Sequence, residues 1–360
     1  MVDLNALEAA GIADARERAE LIEYLSGLGF SVDDMVEAER RGRLFGLAGD
    51  AIRRPGPPTY SLRSAAAELG LPLDDVAQFW AALDLGVPDP DDVTLTEADF
   101  DALATCAAMR ARLGDDGGLL RLIGSAMTRL AEAETTLLRT SRPDFWITRS
   151  HDELTTARAW REVAELIPRI GALLDTVHRH QTTRPRLFES VTLNPAGSVT
   201  CGVGFADLSG FTALTHVLSP AELSTLLNGF NAAVTDVMHA GDSRVVKFIG
   251  DAAMWVSSTP DRLVQTAADL VEDPRTQKAG LQVRAGLSYG EVLAIGGDYF
   301  GDTVNLAARL VAAASPGQIL AAPEVRAALP DWPAVAQDPL TLKGFDEPVT
   351  TYDMSGCDRS

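Results

Sequence analysis

The spacing of apolar residues changes near Val199, and this change divides the chain into two parts. From Leu4 to about His180 apolar residues recur every three to four positions, which predicts helices throughout. After Val199 short strand patterns alternate with helical ones, which predicts one antiparallel sheet covered by helices. We therefore expect an all-α domain at residues 1–150, a transmitter helix and linker at 151–197, and an α+β domain at 198–360.

Strands and helices of the second domain can be placed from the same patterns. Strands are expected at residues 200–208, 244–248, 252–257, 281–288 and 349–353. Helices are expected at 220–239, 261–271 and 303–314.

Charge and cysteine content limit the partners and the compartment. The chain carries 31 basic and 51 acidic side chains, a net charge of −20, so we expect no nucleic-acid partner. Cys106, Cys201 and Cys357 are far apart and lack the spacing of a disulfide framework or a zinc site, which favours a reducing cytoplasm. The N-terminus shows no export pattern and no apolar run approaches roughly 18 residues, so we expect no membrane span.

Two helix pairs are predicted in the first domain. Residues 60–80 show the pattern of a helix-turn-helix module, as found in regulators that bind DNA. Its second helix begins with acidic residues where a DNA reader needs cations, so we favour a packing role. Further on, Thr94 and Glu97 fit a capping box that opens a helix to about Arg112, and an antiparallel partner should run from Leu119 to about Arg139.

A heptad-like seam follows within residues 152–177. Its apolar positions are spaced 3, 4, 3, 4 and 3 apart, as in a coiled coil or a core-facing helix: Trp160, Val163, Ile167, Ile170, Leu174 and Val177. Pro168 removes one helical hydrogen bond and should kink the helix or end it near Ile167. We interpret the segment as a transmitter with a bend, followed by a linker at 182–195.

Acidic residues lie at two predicted strand ends of the second domain. Asp207 ends an apolar strand and is followed by a Ser-Gly turn and a helical pattern, whose amides at Phe211 and Thr212 are candidates for phosphate binding. Asp251 occupies the tight turn between two short strands. Paired carboxylates hold the divalent cations that accompany nucleoside triphosphates. Farther on, Asn305 and Arg309 are four residues apart on one helix face, an amide for a ribose and a guanidinium for a phosphoryl group.

These segments resemble the catalytic domain of class III adenylyl cyclases over about residues 199–352. The resemblance implies a ferredoxin-like antiparallel sheet covered by helices. It rests on Phe-Ala-Asp-Leu-Ser-Gly-Phe-Thr at 205–212, Lys-Phe-Ile-Gly-Asp at 247–251, and Asn305 with Arg309. The segment between Gly290 and Asp298 is short, which resembles a bacterial subclass with a reduced dimerisation arm.

The resemblance also implies a role for each matching residue. Asp207 and Asp251 would bind two Mg²⁺ or Mn²⁺ ions per site, with the Leu208 carbonyl nearby. The remaining positions would contact ATP: Lys247 and Asp298 at the adenine edge, Asn305 at the ribose, Arg309 at the α-phosphate in the transition state, and Lys343 at the triphosphate.

The expected reaction converts ATP to 3′,5′-cyclic AMP and pyrophosphate, by attack of the ribose 3′-oxygen on the α-phosphorus. Lysine and aspartate complement the acceptor and donor on adenine, whereas guanine reverses the pattern. The alternatives are a guanylyl cyclase and a DNA-binding regulator with a cyclase-like domain.

The family builds its site at a dimer interface, so the resemblance implies a homodimer with two composite sites. The helical domain would then regulate how the two subunits meet. The sequence leaves two alternative regulatory signals for the helical domain. One is pH, sensed by His178 and His180 near the junction, and the other is a small apolar ligand bound among the helices.

Overall fold

The computed structural model describes residues 4–53, 56–114, 117–183, 198–277 and 281–356. The chain separates into two compact units, Met1–Thr183 and Arg184–Ser360. Cys357 and most of the predicted linker, from residue 184 to 195, lie outside the described residues.

The first unit is helical, which confirms the predicted all-α class. Its helices are α1 (Leu4–Ala10), α2 (Ala19–Gly27), α3 (Val32–Arg40), α4 (Leu47–Arg53), α5 (Leu62–Leu69), α6 (Leu73–Ala82), α7 (Glu97–Leu113), α8 (Gly118–Ser141), α9 (Ile147–Ser150), α10 (Glu153–Ala164) and α11 (Ile167–Thr183). Helix α8 leaves much of its apolar surface exposed, including Leu119, Leu122, Ile123, Met127 and Leu137.

Helices α5 and α6 form the predicted helix-turn-helix, and α6 packs into the core of this unit. Gly70 ends α5 in the left-handed conformation, with φ of 65°. Helix α6 buries Val76, Phe79 and Trp80. Its Asp75 forms an ion pair with Arg110, at an N–O distance of 2.9 Å. The acidic start of α6 thus has a partner within the unit, which fits the packing role.

The predicted capping box at the start of α7 was placed two residues too early. The cap is Thr96, whose side chain accepts from the amide of Asp99 at 3.3 Å while the Asp99 carboxylate accepts from the Thr96 amide at 2.8 Å. Thr94 cannot serve, because its amide donates to the carbonyl of Tyr60 in a short β-bridge.

The seam predicted over residues 152–177 is divided between two helices. Helix α10 ends at Ala164, and α11 begins at Ile167 with Pro168 in its first turn, where the missing amide costs no hydrogen bond. Val163 is buried, whereas α11 buries none of its described residues. Only the first part of the seam is therefore a core-facing stripe.

The second unit contains one eight-stranded sheet with the strand order β2-β3-β1-β4-β6-β8-β7, and β5 pairs with β4. The strands are β1 (Ser198–Ser209), β2 (Ser243–Ile249), β3 (Ala252–Ser257), β4 (Gln282–Ile295), β5 (Asp298–Phe300), β6 (Ile319–Ala321), β7 (Val335–Leu340) and β8 (Val349–Asp353). The helices are α12 (Phe211–Leu214), α13 (Pro220–Ala240), α14 (Pro260–Glu272), α15 (Asp302–Ala313) and α16 (Pro323–Ala328).

The predicted strands and helices of this unit are confirmed, and so is the predicted α+β class. The pairing is antiparallel except between β4 and β6, which run parallel because the connection through α15 crosses over the sheet. The sequence patterns missed β5 and β6, which are three residues long, as well as β7 and α16, whereas the helical pattern predicted after Asp207 corresponds to α12.

Helices cover both faces of the sheet, so the face to which a strand side chain points can be identified by the helices that pack there. On one face, α13 and α14 pack on Ala206, Leu208 and Trp255. On the other, α15 packs through Ala307 and Val311 on a cluster that includes Val199, Val203, Phe205 and Met254. Side chains alternate along a strand, so Asp207 points to the α15 face.

The described helices include none that is both long enough and apolar enough to cross a membrane.

Candidate active site

Asp207 and Asp251 are neighbours at the ends of two adjacent strands, since Asp207 is opposite Ala252 in the register of β1 and β3. Asp207 is near the end of β1, and Asp251 is in the turn between β2 and β3. The Leu208 amide donates to the Asp251 carbonyl at 3.3 Å, which ties the two segments together. Burial raises the pKa of Asp251, and the neighbouring Asp207 raises it further. A carboxylate that is partly buried beside a second carboxylate favours a bound cation.

The donor set fits a divalent hard cation. Mg²⁺ is typically held by one or two carboxylates, with phosphate oxygens and water completing the shell. Among residues that the structure describes, no group of three or more His, Cys, Asp or Glu could hold a metal ion.

Arg284 is a site residue that the sequence patterns did not single out. It lies opposite Asp207 in the register of β1 and β4, and its Nη2 and Nε donate to Asp207 Oδ2 at 2.5 and 2.8 Å. Its Nη1 also donates to the carbonyls of Ala312 and Ala314 at the end of α15, at 3.3 and 3.1 Å. The available signal was that Arg284 is the single cationic residue in the sequence of β4.

The side chains of Lys247 on β2 and Asp298 on β5 form an ion pair. The Lys247 Nζ lies 2.5 Å from Asp298 Oδ2, and Asp298 Oδ1 accepts from the Tyr299 amide at 2.8 Å. The two side chains remain 39% and 29% exposed. An ion pair so exposed adds little stability, and both groups are accessible to a ligand.

Helix α15 presents Asn305 and Arg309 on its exposed side. The opposite side is buried through Ala307, Leu310 and Val311. Arg309 Nε donates to the carbonyl of Lys343 at 3.2 Å, so the backbone of the Lys343 loop meets the arginine. The Lys343 side chain is exposed.

The remaining predicted residues have less distinctive surroundings. Phe211 and Thr212 open α12, which follows Gly210 at φ of 85° and has four residues, so its dipole is small. Phe211 is half-buried against the core and Thr212 is exposed. His178 and His180 are exposed near the end of α11.

The hydrogen bonds of the site thus form three clusters on the second unit. One joins Asp207 to Arg284 beside Asp251, one joins Lys247 to Asp298, and one joins Arg309 to the Lys343 loop. Such a site can hold a divalent cation, a base and a phosphate chain.

The sequence that forms this fold belongs to the nucleotide cyclases. Residues 193–356 match the family model described as adenylate and guanylate cyclase catalytic domain, and residues 3–183 match the one described as adenylate cyclase regulatory domain. The chain belongs to the class III nucleotide cyclases, with a regulatory domain ahead of the catalytic domain.

Several proteins are similar over most of both chains. A Mycobacterium tuberculosis protein with the name "Uncharacterized protein Rv2212" is 62% identical over 356 residues, covering 98% of this chain and 94% of the relative. The "pH-sensitive adenylate cyclase MT1302" of M. tuberculosis is 31% identical over 88% of this chain and 81% of its own. An "Adenylate cyclase" of Streptomyces coelicolor is 30% identical over 77% and 72%, respectively.

Proposed function

We propose that this protein is an adenylyl cyclase that converts ATP to 3′,5′-cyclic AMP and pyrophosphate. The observation that carries the proposal is the pairing of Lys247 with Asp298. Adenine offers an N6 donor to the carboxylate and an N1 acceptor to the ammonium, whereas guanine presents the reverse pattern. The two relatives named as adenylate cyclases support the same substrate.

Some residues of the site would bind the metal ions and ATP, and others would stabilise the charge that develops on the α-phosphate. Asp207, Asp251 and the Leu208 carbonyl would hold two Mg²⁺ or Mn²⁺ ions, which supply a lowered pKa for the ribose 3′-hydroxyl and neutralise phosphate charge. Asn305 orients the ribose. Arg309 stabilises the negative charge that develops on the α-phosphate during attack.

Further contacts hold the triphosphate. Lys343 projects from an exposed loop beside Arg309 and binds the phosphate chain. The amides of Phe211 and Thr212 are additional donors next to the paired aspartates. Arg284 orients the Asp207 carboxylate through its two hydrogen bonds.

The active form is a homodimer whose subunits share each site. One subunit contributes Asp207 and Asp251, and the other contributes the base-reading pair with Asn305 and Arg309. Exposed apolar side chains on the β2–β3 and β4–β5 hairpins support this, because a partner would cover them: Phe248, Ile249, Ile295 and Phe300.

The test is an assay of the purified chain with ATP or GTP, in Mg²⁺ or Mn²⁺, across pH. We expect cyclic AMP and pyrophosphate from ATP and little cyclic GMP from GTP. Lys247→Glu should lower the preference for ATP. Cyclic GMP as the main product of the wild type would identify a guanylyl cyclase instead.

The regulatory domain would respond to pH through His178 and His180, since imidazoles titrate near neutrality. The relative named as pH-sensitive supports this choice over an apolar ligand. We expect the His178→Gln/His180→Gln double variant to flatten the pH dependence of activity. An unchanged profile would reject the histidines as the sensor.

A further inference from the structure

Strand β2 contains an irregularity that changes which of its residues share a face. Arg244 is opposite Val256 and Lys247 is opposite Met254, so the register shifts between Val245 and Lys247. In a regular strand, residues three apart point to opposite faces. The extra residue of this β-bulge brings Arg244 and Lys247 to the same side, that of Met254 and Val256 in the core under α15.

Arg244 reaches the strand that carries Asp298. Its Nη2 donates to the Tyr299 hydroxyl at 2.7 Å, and its guanidinium carbon lies 5.5 Å from the centroid of the Tyr299 ring. Tyr299 is 6% exposed and packs in the core with Val199 and Cys201. Burial raises the pKa of Tyr299 and raises that of Cys201 to about 12, so both groups are neutral at physiological pH.

Side-chain contacts contribute to the position of β5 relative to β2, because the backbones of these two strands are not paired with each other. It is three residues long, it pairs with β4, and it follows a turn made by Gly296 and Gly297. Strand β2 pairs with β3 rather than with β5. Side-chain hydrogen bonds within the described part of the chain link β2 and β5: Lys247 with Asp298, and Arg244 with Tyr299.

Only the second contact can persist while a base is bound. The Lys247 ammonium and the Asp298 carboxylate bind each other, and they are also the groups that would bind the adenine edge. Their ion pair must therefore loosen when the base enters. The contact between Arg244 and Tyr299 involves no group that the base requires.

We propose that Arg244 and Tyr299 are positioning residues that keep Lys247 and Asp298 at the separation needed to read adenine. This inference rests on the proposed cyclase activity and extends it to base selectivity. Neither residue would contact the base. Arg244 would act through Lys247 on the same strand, and Tyr299 would act through the adjacent Asp298.

The test compares Tyr299→Phe, which removes only the hydroxyl, with wild type. We expect KM for ATP to rise about ten-fold, kcat to change less than about two-fold, and the ratio of kcat/KM for ATP over GTP to fall by a similar factor, since a hydrogen bond from a charged donor is lost. Arg244→Ala should behave alike. Arg244→Lys, which still carries a donor, should recover part of the selectivity.

The matched control is Tyr352→Phe, which removes a hydroxyl from a half-buried tyrosine on β8. It should keep wild-type KM and selectivity. If wild type makes cyclic AMP but Tyr299→Phe and Arg244→Ala keep its KM and ATP preference, the positioning role is wrong and the proposed function stands. A parallel loss of kcat for both nucleotides, with selectivity intact, shows a merely structural role. Absence of cyclase activity in wild type overturns both.

Discussion

Arg309 lies on the exposed side of α15, anchored by one hydrogen bond to the backbone of Lys343. A guanidinium that meets the phosphate only as charge develops contributes to rate rather than to binding. We expect Arg309→Ala to lower kcat by roughly 10³ to 10⁵ while ATP binding stays within a few-fold of wild type. Steady-state kinetics and equilibrium binding of ATP would measure the two effects.

Arg262→Ala is the control for Arg309→Ala. Arg262 is a half-exposed arginine on α14 that pairs with Asp242, and its loss should leave kcat unchanged. A large loss of ATP binding in Arg309→Ala, with kcat preserved, would contradict a transition-state role.

Site residues differ in how far the sequence reveals them. Asp207, Asp251, Asn305 and Arg309 belong to short segments whose residue types and spacing indicate their chemistry. Arg284 does not, because its partner Asp207 is 77 positions away and depends on the register of β1 with β4. The contact between Arg244 and Tyr299 depends on a bulge, and no local pattern predicts that.

At the scale of secondary structure, Asp152 caps α10, the helix that buries Ala157 and Val163 in the first unit. Its carboxylate accepts from the Thr155 amide at 2.8 Å, and hydrogen bonds from the Thr155 hydroxyl and amide lower the pKa of Asp152 below the usual 3.8. A lowered pKa stabilises the fold above the unfolded-state value, and this contribution is lost as pH falls through the folded-state value.

We therefore expect Asp152→Ala to destabilise the protein by about 1 kcal/mol at neutral pH. The difference in unfolding free energy between the variant and wild type should narrow as pH falls below about 4, because the wild-type Asp152 carboxylate becomes protonated there. Urea unfolding followed by circular dichroism at several pH values would measure it. Asp152→Asn keeps the cap and should stay near wild type at neutral pH, and a deficit of Asp152→Ala that is constant with pH would argue against the cap.

Gly286 fixes how closely α15 approaches β4. A Cβ at this position would lie 2.2 Å from the Val311 nitrogen and 2.4 Å from the Ala307 carbonyl oxygen, both on the helix backbone. Gly286→Ala should cost about 1 to 3 kcal/mol and shift α15, which carries Asn305 and Arg309, so kcat should fall as well.

Gly229→Ala provides the comparison for Gly286→Ala. A Cβ at this α13 position meets no atom within 4 Å, so the variant should be as stable as wild type or up to about 1 kcal/mol more stable. Thermal unfolding and activity of the two variants would test the argument. Full activity in Gly286→Ala would show that α15 tolerates displacement.

Elements with long, strongly apolar patterns were predictable from sequence, and short ones were not. Strands β1 and β3 are buried along most of their length and lie within one or two residues of their predicted bounds. Strands β5 and β6 have three residues each, too few for alternation to show. The cap of α7 differs from the prediction because Thr94 with Glu97 matches the usual capping-box residues, whereas the observed box pairs Thr96 with Asp99. The β-bridge between Tyr60 and Leu95 places Thr94 before the helix.

At the scale of the whole molecule, the question is whether each site needs two chains. The paired aspartates and the Arg309 cluster are on the same chain, yet the proposed dimer takes them from different subunits. If so, a chain lacking Asp207 and a chain lacking Arg309 can complement each other, because one of the two sites in a mixed dimer has every residue intact.

We expect Asp207→Ala and Arg309→Ala to be nearly inactive alone and to regain activity when co-expressed or mixed under conditions that allow subunit exchange. Random pairing makes about half of the dimers mixed, each with one intact site of two, so recovery should approach about one quarter of wild-type activity. Mixing Asp207→Ala with Asp251→Ala is the control, because both changes damage the same half of the site and leave no intact site in any pairing. No recovery in the first mixture would show that a single chain forms each site. Recovery in the control would show that Asp207 and Asp251 act from different subunits, which contradicts the proposed division of the site.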